Sequence, residues 1–117
     1  MIGESRWSVY TARLDPIEGS EQGGQRPVLI VSNDDFNRVM PVVTVIPITS
    51  LKPGRRVYSS EVLLKKGEAN LGVDSLILAY QIRTISKKRI RNLIGAMNDS
   101  GKQQEIEAAI KLHLGLH

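Results

Sequence analysis

The chain has 117 residues, a mass of 13.0 kDa and no cysteine. That is enough for one small domain, residues 1–117, and it excludes a disulfide scaffold or a thiolate metal site. The net charge of +4 is uneven: residues 51–92 carry ten basic side chains against three acidic ones, while both ends are slightly acidic.

An apolar fraction of 41% with 24% charged residues is ordinary for a globular protein and excludes global disorder. No apolar run approaches the roughly 18 residues that span a bilayer. The first residues lack a basic patch followed by an apolar stretch, so a cytoplasmic protein without a signal peptide is expected. Both histidines, His113 and His117, stand at the C-terminal end. A metal site built on imidazoles is therefore not expected, nor a hydrolase with two imidazoles as acid and base. No cofactor is read from the sequence.

Trp7–Leu14 alternates in the manner of a strand. Residues 15–25 are rich in Gly, polar residues and Pro, a loop long enough to suggest a role of its own. Residues 27–32 form a continuous apolar run, a buried strand whose first position tolerates Pro27. Asn33 offers an N-cap for one short helical turn. Residues 42–49 read as a third strand, where Pro47 implies an edge or a bulge. Residues 50–58 form a basic loop, and further strands are expected at 59–64, 74–79, 81–85 and 90–96. Ser86 can cap one turn before the last strand. From Asp99 the apolar period changes, and Ile106, Ala109, Ile110 and Leu114 mark an amphipathic helix, its stripe widened by Leu112 and Leu116. The fold class is mainly β (α+β): six or seven short antiparallel strands, curled as a barrel or paired sheets, with one terminal helix.

Two points carry candidate chemistry. Arg26 precedes Pro27, which forces it toward extended backbone at the mouth of a rigid strand. Thr49 and Ser50 end an otherwise apolar strand, and antiparallel pairing of 27–32 with 42–48 brings Arg26 and Thr49 to one rim. A guanidinium fork and a hydroxyl there can hold one phosphate. The plainer alternative is a loop ion pair between Glu21 and Arg26, with Thr49 merely ending a strand. The basic clusters, Lys52 to Arg56 and Lys87 to Arg91, favour a polyanion or serve only as a solvated face.

The run from Gly19 to Asp34, GSEQGGQRPVLIVSND, together with VTVIPITS (residues 43–50) and QIRTI (residues 81–85), resembles the MazF/PemK family of type II toxin–antitoxin toxins. The resemblance extends over residues 7–116. It implies a dimeric toxin with the small SH3-like barrel shared with CcdB toxins, cutting single-stranded RNA at short sequences without metal. The products implied are a 2′,3′-cyclic phosphate and a 5′-hydroxyl. By the same resemblance the catalytic pair matches Arg26 and Thr49, with Glu21 matching a Glu implicated in some members; its nearness in sequence to Arg26 suits a general base or a group that orients Arg26. The Kid/PemK branch uses a His-Arg-Asp set instead, and this chain has Ser20, Leu78 and Tyr80 at those positions. The family usually reads Arg-Gly-Asp/Glu before the first strand, where this chain has Arg6-Trp7-Ser8.

The residues expected to contact RNA are Ser20, Gln22, Gln25, Ser50, Lys52, Arg55, Arg56, Arg83 and Lys87. The partners expected are single-stranded RNA, a cognate antitoxin with an acidic C-terminal segment, and a second copy of the chain. The competing reading is a non-catalytic toxin on the same barrel that traps a topoisomerase, as CcdB does. A general nucleic-acid-binding module is the third, and it predicts salt-sensitive binding without a product.

Overall fold

A computed structural model describes residues 4–15, 18, 19, 21 and 23–116. β1 (Ser8–Arg13) pairs antiparallel with β2 (Gln25–Ile30), which pairs with the long β3 (Val42–Ser50). β4 (Glu61–Leu64), β5 (Ser75–Leu78), β6 (Arg83–Ser86) and β7 (Ile90–Ala96) complete a seven-stranded sheet. Its order is β4-β5-β3-β2-β1-β7, with β6 also on β3, and all pairings are antiparallel. The short helix α1 (Asp34–Val39) follows β2, and α2 (Ser100–Leu114) ends the chain.

The capping chemistry is as the sequence suggests. Asn33 Oδ1 accepts the Phe36 N–H at 2.8 Å, Asp99 Oδ1 accepts that of Gly101 at 2.8 Å, and Ser86 Oγ accepts that of Lys88 at 3.2 Å.

Two cores sit on opposite sides of the central strands, which is why β2 and β3 read as unbroken apolar runs. One gathers Val9, Leu29, Ile46, Ile48, Leu64 and Ile77 beneath Ile106 and Ala109 of α2. The other gathers Ala12, Val28, Ile30, Val43, Val45 and Ile85. The helix contributes only the first part of its apolar stripe. Leu112, Leu114 and Leu116 are 51–57% exposed, so the end of the expected stripe and its widening stay largely open to solvent.

Pro47 corrects another expectation, because β3 is a central strand and not an edge. On the side away from β2, β3 pairs with β6 through Val42–Val45 and with β5 through Ile48–Ser50. Val31 N donates to Thr44 O, and Leu51 N to Asp74 O, so odd-numbered backbone groups of β3 face that side. Pro47, which lacks that donor, stands where the pairing with β6 has ended at Val45 and the pairing with β5 begins at Ile48.

Trp7 takes φ 74°, the left-handed region that favours glycine. That geometry explains why Gly is usual at this position in the resembled family. Here the conformation is fixed from both sides, as Trp7 N donates to Ile30 O and Met97 N to Trp7 O, each at 2.7 Å. The indole packs on the first core, and the Arg6 guanidinium lies 4.8 Å from its centroid.

Candidate active site

The β2–β3 register pairs Val28 with Pro47 and Ile30 with Val45. Continued by two residues, it sets Arg26 opposite Thr49. Both line one cavity of about 350 Å³ with Gln25, Ser50, Asn70 and Ile94. Arg26 is anchored at its base, where Nε donates to Gly23 O at 2.7 Å. Its two Nη groups are thus the donors available to a ligand. The loop behind it is closed by Gly24, whose φ of 70° suits glycine. Gly24 N donates to Asp15 Oδ1 and Leu14 N to Gly24 O, each at 2.9 Å. Arg26 is therefore launched from a fixed strand, not from a loose loop.

The far wall was not read as functional from sequence. Residues 65–72 look like a plain turn, yet Ala69 and Asn70 both adopt positive φ, at 52° and 60°. Asn70 Nδ2 donates to Ile94 O at 2.9 Å, which fixes the turn to β7. Gly95 allows this close approach: a Cβ there would lie 2.6 Å from Ala69 O. The sequence signal was Asn70 itself, Asn being tolerant of the left-handed region.

Glu21 is exposed and lines a different cavity, of about 290 Å³, with Tyr80, Gln81, Ile82 and Arg83. Its Oε1 accepts the Glu18 N–H at 2.6 Å. Nearness in sequence to Arg26 suggests a shared site, but Glu21 lines the other cavity and not that of Arg26. Among the described residues, Arg26 is the single charged side chain lining that cavity. We expect Glu21→Gln to leave kcat on a defined RNA within about tenfold of wild type. A general base would cost on the order of a hundredfold or more.

The other candidates divide between two regions. Gln25 and Ser50 are in the Arg26 cavity, and Lys52 is exposed one residue beyond Leu51. Ser20 and Gln22 lie outside the described residues. Lys87 is elsewhere: its Nζ donates to Asn37 O beside α1, beyond Val42 at the opposite end of β3. At the ordinary strand rise that end is about 23 Å from Thr49.

Arg55 is not a free cation. Its Nη1 and Nη2 donate to Glu61 Oε1 and Oε2 at 2.9 and 2.8 Å, and Tyr58 N donates to Oε1 at 3.0 Å. The Glu61 side chain is 1% exposed. Burial alone would raise its pKa, but the Arg55 hydrogen bonds, the Tyr58 N–H and the Arg55 charge together hold it below the ordinary 4.5. A lowered carboxyl pKa stabilises the fold above that ordinary value, and the contribution disappears as pH falls through the folded-state value. Glu61→Gln should lose about 2 kcal/mol at pH 7. Urea titrations should show the gap from wild type narrowing below the ordinary carboxyl range.

Among the described residues, no three His, Cys, Asp or Glu gather where they could hold a metal ion, and no helix is long and apolar enough to cross a membrane.

Residues 5–114 match the family described as "PemK-like, MazF-like toxin of type II toxin-antitoxin system". The chain belongs to that family. The toxin is 41% identical over 112 residues to Endoribonuclease MazF of Staphylococcus saprophyticus, with 96% of this chain and 92% of that protein covered. Its fold is that of MazF (Form-I) from Deinococcus radiodurans, at 28% identity and a TM-score of 0.79, covering 97% and 98% of the two chains. A mycobacterial endoribonuclease in complex with its cognate antitoxin is similar at 25% identity and a TM-score of 0.78, covering 97% and 96%. The staphylococcal and mycobacterial relatives are named as endoribonucleases, not as topoisomerase-trapping toxins.

Proposed function

We propose that this toxin is a metal-independent, sequence-specific endoribonuclease that cuts single-stranded mRNA in the cytoplasm. The observation that carries the reading is the meeting of Arg26 and Thr49 in one cavity of a chain of this family. The RNA's own 2′-oxygen attacks the adjacent phosphorus, and the bond from phosphorus to the 5′-oxygen breaks. The 2′-hydroxyl loses its proton, the departing 5′-oxygen gains one, and a 2′,3′-cyclic phosphate remains. The Arg26 Nη groups and Thr49 Oγ1 stabilise the charge that builds on the non-bridging oxygens. Gln25, Ser50 and Lys52 hold the flanking strand.

A partner antitoxin suits the excess of basic groups in residues 51–92. The exposed Leu112, Leu114 and Leu116 support a homodimer.

The nucleophile can be tested directly. An RNA with one 2′-deoxy residue immediately 5′ of the cleaved phosphate should resist cutting there and be cut normally at other sites. Continued cutting at the substituted position would mean that water is the nucleophile.

A further inference from the structure

We propose that Tyr80 is a stacking platform for a nucleobase of the same RNA strand whose phosphate enters the Arg26–Thr49 cavity. This rests on the ribonuclease reading above.

Trp7, Tyr10 and Phe36 are partly buried, whereas Tyr58 and Tyr80 are 53% and 40% exposed. The two tyrosines line one cavity of about 410 Å³ together with Arg55, Ser59 and Ser60. Tyr80 also lines the smaller cavity beside Glu21 and Arg83. Its side chain therefore stands as a divider between two openings. Tyr58 already has cations near its ring, with the Arg55 and Arg56 guanidiniums 5.8 and 5.3 Å from the centroid. Among the described residues Tyr80 has no such ring contact, which leaves it to receive a planar ligand.

Its position is built in. Ala79, fully buried, donates its N–H to Ser60 O at 3.1 Å, and Ile82 N donates to Ala79 O at 3.2 Å. Those bonds tie the Tyr80 turn to the wall that carries Tyr58. The bidentate Arg55–Glu61 pair and the Tyr58 N–H on Glu61 fix that wall in turn. A preset aromatic surface loses little entropy when a base stacks on it.

The chemistry fits a base and its phosphates. Every base offers a π-face, the Ser59 and Ser60 hydroxyls can meet its edge, and Arg56 attracts the backbone. Leu76 is the register partner of Thr49, and Tyr80 follows four residues later. That separation, on the order of 10–15 Å, is within reach of a flanking nucleotide on an extended strand.

The test uses the whole chain and a pool of single-stranded RNA, 2′-fluoro throughout so that it cannot be cut by its own hydroxyls. The pool carries 5-iodouracil, which on irradiation cross-links to an aromatic ring stacked beneath it. Cross-linked peptide should contain Tyr80. Tyr80→Ala should weaken binding of the pool about tenfold or more, while Tyr80→Phe binds as wild type does. Unchanged binding by Tyr80→Ala, or cross-links confined to other residues, would overturn the proposal. The two readings fail separately. Tyr80 cross-linking by a chain that leaves ordinary RNA intact keeps the platform and removes the ribonuclease. Cleavage with an unaltered KM in Tyr80→Ala keeps the ribonuclease and removes the platform.

Discussion

Arg26→Ala should lower kcat/KM for a defined single-stranded RNA by at least about a hundredfold, the scale of losing a donor aimed at transition-state charge. The fold should survive the change. Arg26 is only partly buried at the start of β2, and among the described residues its side chain bonds to Gly23 O alone. The loss should appear mainly in kcat, because the charge that the guanidinium meets grows as the phosphorane forms. Arg26→Lys should recover little, since an ammonium cannot reproduce a two-nitrogen fork on phosphate oxygens. Thr49→Val should cost less than Arg26→Ala, as it removes a neutral hydroxyl. Turnover by Arg26→Ala within about tenfold of wild type would remove Arg26 from the chemistry.

The largest stability effect should come from Gly95→Val. A Cβ at this position would stand 2.6 Å from Ala69 O, 3.0 Å from Ala69 C and 2.9 Å from Asn70 Cβ. The first two are backbone atoms of a turn already in the left-handed region, so no flexible side chain can yield. The turn must lift from β7, breaking the Asn70–Ile94 hydrogen bond. A loss of about 3 kcal/mol in urea unfolding is expected, as for forced overpacking of a tight contact. Because Asn70 and Ile94 wall the Arg26 cavity, activity should fall even at temperatures where the variant remains folded. Gly95→Ala should show the same effects to a smaller degree. Unchanged stability in both variants would mean that the turn is free to move.

The fold was legible wherever local chemistry agreed with tertiary pairing. The β2 and β3 runs were apolar on both faces because each separates two cores. Asn33, Ser86 and Asp99 announced their caps, since a side-chain oxygen satisfies backbone N–H groups wherever a helix or turn begins. Pro47 misled because its meaning depends on which strands stand beside β3, and sequence spacing does not state that β5 and β6 share one side.

The site was legible in the same measure. Arg26 and Thr49 could be paired from strand register alone, but Glu21 could not be placed, because a glycine-rich loop does not specify its path. Arg55 looked like a cation for RNA. Its partner Glu61 begins β4, and only the folded chain shows that a buried carboxylate holds it. The Ala69–Asn70 wall was hidden because its role comes from a contact with Gly95, distant in sequence. The place of Tyr80 between two cavities required the fold.

The most direct test of the central claim is cleavage of a long single-stranded RNA in excess EDTA, with the fragment ends identified by mass spectrometry. Discrete fragments bearing 2′,3′-cyclic phosphate and 5′-hydroxyl ends, produced by wild type and not by Arg26→Ala, are the predicted result. Intact RNA with wild type, or fragments bearing 5′-phosphates, would contradict it.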